Sequence, residues 1–267
     1  MISIRTGALI FLILGACSKE NESSAVELVG GSAVDLGAGL GKHVVFVASS
    51  GIKQQCTGTY IGKNVVLTAA HCIRSSGQDA SKVTVYFASR VRRNENDVVA
   101  TVDAKNWMSH REYNSSTLEN DIALLILPED FSPPAPFTVF SSLADHTDLQ
   151  GKQSISVFGF GGTNESSETS GILNSIQGEV EIRAVTDRKC QFELDAIPGK
   201  AFGCPIDSGG PLFINQKLYG VNSYRRLEAE DSSQKCVERV TRFTSVGCYA
   251  DWIKKCSQSS GDNKVCE

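Results

Sequence analysis

Short runs rich in β-branched and aromatic residues recur along this chain, each of strand length and each closed off by turn residues. In the first half they are His43–Ala48, Asn64–Ala69, Lys82–Ala88, Val98–Val102 and Ile122–Leu127. In the second half they are Ser154–Phe158, Glu179–Val185, Pro211–Ile214, Leu218–Ser223 and Val237–Thr244. Apolar runs this short, at close spacing, point to an all-β sandwich or barrel. The two sets are separated by Pro128, Pro133, Pro134 and Pro136, four of the seven prolines in the chain. Proline removes ladder donors and restricts its predecessor, so this stretch reads as an extended linker. Tyr249–Lys255 reads as a short terminal helix. The pattern is two β-domains joined by a proline-rich crossover.

The N-terminus reads as an address. Arg5 precedes the apolar run Ala8–Leu14, too short to span a bilayer and suited to a signal h-region. The run ends in Leu14-Gly15-Ala16-Cys17, which resembles a bacterial lipobox, where the Cys becomes the lipidated first residue. The alternative is an ordinary cleaved signal in which Cys17 has no role. Residues 18–27 are polar and acidic and read as a flexible leader.

Of nine cysteines, setting Cys17 aside leaves Cys56, Cys72, Cys190, Cys204, Cys236, Cys248, Cys256 and Cys266. An even set in an exported chain suggests up to four disulfides in an oxidising compartment. No C-x-x-C occurs and the four His are scattered, so no metal and no cofactor is expected. A net charge of -4 gives no pull toward nucleic acid. The cluster Arg90, Arg92, Arg93, followed by Glu95 and Asp97, reads as a solvated loop.

Three local motifs carry chemistry. His71 lies in Thr68-Ala69-Ala70-His71-Cys72, after the apolar run Val65-Val66-Leu67. Asp121 opens the run Ile122-Ala123-Leu124-Leu125, and Ser208 lies in Asp207-Ser208-Gly209-Gly210-Pro211. Alone, each is unremarkable: a structural His, a strand-entry Asp and a turn Ser. Together they fit nucleophilic hydrolysis, where a base takes the serine proton and a carboxylate orients and stabilises that base. The order His, Asp, Ser is one of three found for this geometry.

These motifs resemble the trypsin/chymotrypsin serine protease family. The likeness also includes Cys56-Thr57-Gly58-Thr59, Tyr113-Asn114, Leu28-Val29-Gly30-Gly31, Gly159-Phe160-Gly161 and Asp251-Trp252-Ile253. It implies two six-stranded antiparallel β-barrels packed face to face, with a short C-terminal helix and the site in the cleft between barrels. The chain would divide into a signal segment (1–17), a leader (18–27), a first barrel (28–127), a crossover (128–150), a second barrel (151–246) and a helix with tail (247–267). By resemblance, Ser208 is the nucleophile, His71 the base and Asp121 its orienter, with Ser223 bonding that carboxylate. The N–H groups of Ile206 and Ser208 would form the oxyanion hole. Cys56 would pair with Cys72 beside the base, and Cys204 with Cys236 across the specificity pocket. Cys190, Cys248, Cys256 and Cys266 are left with three possible pairings. Cleavage between Glu27 and Leu28 would free an ammonium to pair with Asp207, so the uncut chain would be a zymogen. Substrates would be proteins or peptides, and the chain a monomer held at the bacterial envelope by the Cys17 lipid until cleavage.

The chain departs from the family's pattern at several places. Ile206 stands where the family has Gly; a β-branched residue restricts the backbone there and would favour an N–H turned away. Pro205 stiffens the same loop. Phe202 falls where the pocket floor lies, and Tyr224 and Arg225 fall on the pocket wall. Arg225 would either accept an acidic substrate side chain or pair with Glu238. The departure at Ile206 keeps a second reading in view: a weak or inactive protease-fold binding protein. A third reading makes the chain an envelope-anchored structural protein with an incidental motif match.

Overall fold

A computed structural model describes residues 31–62, 64–92, 95–144, 151–162, 171–184, 190–195, 206–225, 240–258 and 266. After β1 (Ser32–Ala33) come β2 (Val44–Ser50), β3 (Gln54–Gly62), β4 (Val65–Thr68), β5 (Arg74–Ser75), β6 (Gln78–Asp79), β7 (Lys82–Arg92), β8 (Glu95–Asp103), β9 (Asn106–Ser109) and β10 (Ala123–Ile126). The second half holds β11 (Gly151–Gly159), β12 (Asn174–Ala184), β13 (Gln191–Leu194), β14 (Pro211–Ile214), β15 (Lys217–Arg225) and β16 (Thr241–Ser245), followed by the helix α1 (Ala250–Ser257). Among the described residues no helix is long and apolar enough to cross a membrane.

The second half is a closed barrel. Its strands run β12-β11-β14-β15-β16-β13, and β13 pairs back onto β12, with β1 added outside β12. Period-two alternation fills it: Ile176, Val180 and Ile182 face inward on β12, while Glu179 and Glu181 lie between them, and Ile155 and Val157 do the same on β11. Phe192 and Phe243 stack inside at 5.8 Å between centroids.

The first half is a curled antiparallel sheet in the order β8-β7-β2-β3-β4-β10-β9. Its central runs, Val44–Val47, Val65–Thr68 and Ala123–Ile126, are buried throughout, so they read as continuous apolar stretches rather than alternating ones. Of the two expected antiparallel barrels, the second is closed with six strands and the first is a half-barrel; among the described residues no ladder joins β8 to β9. The larger core crosses between the halves, bringing Phe158, Phe160 and Phe213 together with Phe46, Tyr60 and Leu67.

Arg90, Arg92, Glu95 and Asp97 belong to the β7–β8 hairpin and not to a solvated loop, with Val91 opposite Asn96 and Arg92 opposite Glu95. Arg90 Nη1 donates to Asp97 Oδ2 at 3.1 Å, a cross-strand pair that keeps the charged end of the hairpin in register.

α1 buries Ile253 and Cys256. Asp251 in its first turn and Lys254 and Lys255 in its last complement the helix dipole.

Candidate active site

His71 stands in a single 3-10 turn, Ala70–Cys72, directly after β4. The Cys56–Cys72 disulfide, with Cα atoms 6.0 Å apart and a sequence separation of 16, fastens that turn to β3. In the chain-entropy account a loop of this size stabilises by about 3 kcal/mol, and here it also fixes the His-bearing turn.

Asp121 stands just before β10, the strand paired with β4, with Ala123 opposite Thr68. Asn120 adopts φ 54, a left-handed conformation that Asn tolerates, and this turns the chain so that Asp121 points inward. Tyr249 donates its hydroxyl hydrogen to Asn120 Oδ1 at 2.7 Å, while Asn120 Nδ2 donates to the Glu112 carbonyl at 2.9 Å. The Asp121 side chain is fully buried. A buried carboxylate is tolerated only when its oxygens are bonded. His71 N–H donates to Oδ1 at 2.9 Å, His71 Nδ1 donates to Oδ2 at 2.7 Å, and Ser223 Oγ donates to Oδ2 at 2.6 Å. Thr244 Oγ1 also holds the Asp121 carbonyl at 3.1 Å.

These bonds fix the imidazole. Because Nδ1 faces a carboxylate, the ring proton sits on Nδ1 and the lone pair on Nε2. Burial acts to lower the His71 pKa, but the charge and hydrogen bond of Asp121 act against it, and the balance leaves the pKa above the ordinary 6.5. The phenol of nearby Tyr113 is pushed up by burial first and then by the Asp121 charge.

Ser208 lies on the closed barrel's side, before β14. Its carbonyl accepts the Thr57 N–H at 2.8 Å and lies 3.7 Å from Cys72 Sγ, so its turn packs against the one bearing His71. Gly209 has φ 81, and a Cβ there would run into Thr68 Oγ1 and the Thr57 carbonyl. Only glycine allows so close an approach. Gly209 N–H donates to the Asn222 carbonyl at 2.7 Å and Asn222 N–H to the Gly210 carbonyl at 2.9 Å, locking the turn onto β15.

Ile206 has φ 81. For a β-branched residue this left-handed conformation costs on the order of 1–3 kcal/mol and persists only where surrounding contacts hold it. Its carbonyl accepts the Thr57 hydroxyl at 2.8 Å. Asp207, 1% exposed, accepts the Gly161 N–H on Oδ1 at 2.7 Å. Gly159 and Gly161 both pack so tightly on that carboxylate that neither has room for a Cβ.

The structure therefore brings His71, Asp121, Ser223, Ser208, Ile206 and Asp207 into one region where the halves meet. Cys17, Leu28, Phe202, Cys204 and Cys236 lie outside the described residues, as does Glu238. Tyr224 and Arg225 are placed on the backbone of β15, opposite Arg242 and Thr241, but their side chains lie outside the described set. Of the cysteines with open pairings, Cys190 bonds Cys248, with Cα atoms 5.5 Å apart, tying β13 to the turn before α1. The Cys256 thiol is pushed up to about 12, by burial first and then by the neighbouring Cys266. A groove of about 1110 Å3 lined by Lys42, His43, Phe140 and Lys217 carries none of the site residues. Thr57 and Thr244 were missed by sequence reasoning. Thr57 does adjoin Cys56 in Cys56-Thr57-Gly58-Thr59, and that is the signal that marks it.

The sequence model of the trypsin family matches residues 28–253. The chain belongs to the trypsin family. This trypsin-family chain is 30% identical over 225 residues to a chymotrypsin of Phaedon cochleariae, covering 81% of this chain and 77% of that one. It is 30% identical over 276 residues to trypsin eta of Drosophila melanogaster, covering 95% and 97% of the two chains. Among solved structures it resembles an HL collagenase with TM-score 0.68 at 23% identity, covering 85% of this chain and 97% of that one, a likeness of fold.

Proposed function

We propose that this trypsin-family chain is a serine endopeptidase using Ser208, His71 and Asp121. The observation that carries the reading is the buried Asp121 carboxylate, filled by two N–H donors of His71 and the hydroxyl of Ser223. That arrangement leaves His71 Nε2 as the free base. Ser208 Oγ attacks the scissile carbonyl carbon while Nε2 takes its proton, forming a tetrahedral oxyanion. The N–H groups of Ile206 and Ser208 stabilise the oxyanion, each donor worth about 3–4 kcal/mol in such a site. Nε2 then gives the proton to the leaving amine, leaving an acyl-enzyme; water attacks its carbonyl, passes a proton to Nε2, and Nε2 returns it to Ser208 Oγ as the acid is released. The Asp121 carboxylate stabilises the imidazolium.

The chain is made as a zymogen in this account. Cleavage between Glu27 and Leu28 frees the Leu28 ammonium to pair with the carboxylate of Asp207, a residue only 1% exposed. Leu14-Gly15-Ala16-Cys17 resembles a lipobox, and in this reading Cys17 anchors the uncut chain at a bacterial envelope and the same cut releases the domain. Arg225 favours an acidic residue before the scissile bond through a charge-assisted hydrogen bond, which fits Glu27 and self-cleavage in trans. Phe202 and Tyr224 shape the same pocket, closed by a Cys204–Cys236 bond.

One observation favours a second reading, a protease-fold binding protein: the β-branched Ile206 stands where the family has glycine. Turnover of a peptide library by the form trimmed to Leu28 separates the two. Ser208→Ala and His71→Ala should each remove nearly all of it, because the triad acts as a unit. More than a tenth of wild-type rate in either variant overturns the assignment.

A further inference from the structure

Thr57 lies in β3, one residue past the disulfide cysteine that braces the His71 turn, and its side chain is fully buried. A hydroxyl so placed must find partners, and these partners are informative. Thr57 Oγ1 donates to the Ile206 carbonyl at 2.8 Å and accepts the Phe160 N–H at 3.1 Å. The Thr57 N–H donates to the Ser208 carbonyl at 2.8 Å. One residue thus grips the chain on both sides of Asp207. The grip continues outward, because the next N–H after Phe160, that of Gly161, holds the Asp207 carboxylate itself.

The hydroxyl is the part that a merely structural strand residue would not need. The backbone bond to Ser208 survives any side chain at position 57, but the bond to Ile206 requires an oxygen there. Ile206 is the strained member of the loop at φ 81, and a β-branched residue left to itself relaxes toward negative φ. Such relaxation rotates the Ile206 N–H relative to its carbonyl. Fixing the carbonyl from outside opposes it.

We propose that Thr57 is the positioning residue of the oxyanion loop: its hydroxyl holds Ile206 in the left-handed conformation, so that the N–H groups of Ile206 and Ser208 face one acyl oxygen. The inference rests on the endopeptidase reading above. Thr57 touches neither substrate nor the reacting atoms; it acts through Ile206.

The test compares Thr57→Val and Thr57→Ser, each with Ile206 and with Ile206→Gly, in the chain trimmed to Leu28. Wild-type labelling by a fluorophosphonate serves as control. Valine keeps the shape and loses the hydroxyl, so kcat should fall about 10- to 100-fold with KM within about twofold, the pattern of a lost transition-state contact. Serine restores the oxygen and should return kcat to within about threefold. With Ile206→Gly, which adopts φ 81 without strain, Thr57→Val should cost less than about threefold, so the two positions couple. Should Thr57→Val not fold, Thr57→Ala, which leaves space for a water, is measured in its place with the same ordering expected. An unchanged kcat in the folded variant, an equal loss in both backgrounds, or a loss that serine does not restore overturns the proposal. Absence of labelling in the trimmed wild type overturns the endopeptidase reading and the proposal together; labelling with an indifferent Thr57→Val overturns the proposal alone.

Discussion

Ser223 Oγ donates to Asp121 Oδ2 at 2.6 Å across 102 residues of sequence, and so binds a carboxylate of the half-barrel to a strand of the closed barrel. Thr244 repeats the link at the Asp121 carbonyl. The orientation of the His71 ring is therefore set by both halves of the molecule at once.

Replacing Ser223 by Ala leaves Asp121 Oδ2 with His71 Nδ1 alone and opens a small void between the halves. A hydrogen bond to a buried charge contributes about 1.5–3 kcal/mol, part of it felt as stability. The expected result is a lower Tm together with kcat/KM reduced roughly tenfold, which thermal denaturation and steady-state assay would measure. A fall in Tm with full activity would make the bond a brace between barrels with no effect on His71.

The pH profile follows from the same carboxylate. His71 acts as base only when neutral, and Asp121 raises its pKa above 6.5 against the effect of burial. The acidic limb of kcat/KM should therefore lie above pH 6.5, with activity rising as pH rises through it. In Asp121→Asn the raising influences vanish and burial remains, so the ring should titrate below 6.5. The amide also faces Nδ1 with a donor and favours the wrong tautomer, so kcat should drop about 10⁴-fold, as expected when a serine protease triad loses this carboxylate. Nitrogen-15 NMR of the imidazole follows both effects; an unmoved titration in the variant contradicts the electrostatic account.

Much of this was legible in the sequence, for physical reasons that differ by element. Val44–Val47 and Val65–Leu67 announce themselves because strands buried on both faces are continuously apolar. β3 was missed because Gln54–Gly62 is mostly polar; Thr57 and Thr59 are buried by bonding their oxygens or their backbone within the sheet, which a hydropathy pattern does not register. Strand β13 is four residues with Gln and Glu among them, and β9 is likewise four residues, too short for alternation to show. His71, Asp121 and Ser208 stand out as candidates through family motifs; their spacing in sequence says nothing of their meeting. The left-handed Ile206 was not legible at all, since propensity argues against it and only the surrounding loop supports it.

Activation and release are predicted to be one event. Full-length wild type should start at Leu28 after purification, and the soluble fraction should hold that form, while the membrane fraction holds chain still joined to Cys17. Ser208→Ala made with no other protease present should remain uncut and membrane-bound, and adding Cys17→Ser should move it to the soluble fraction, since firm anchoring needs several acyl chains. N-terminal sequencing of each fraction checks this. Trimming of Ser208→Ala to Leu28 under those conditions excludes self-cleavage, and unchanged partitioning of Cys17→Ser excludes the lipid anchor.

The central claim is that Ser208 is a nucleophile activated by His71 and Asp121. Reaction of the chain trimmed to Leu28 with a fluorophosphonate, followed by mass spectrometry of the modified peptide, tests it most directly. The account predicts one adduct per chain, located on Ser208, and no adduct in Ser208→Ala or after denaturation of the wild type. An unlabelled native chain, or label on another residue, would contradict it.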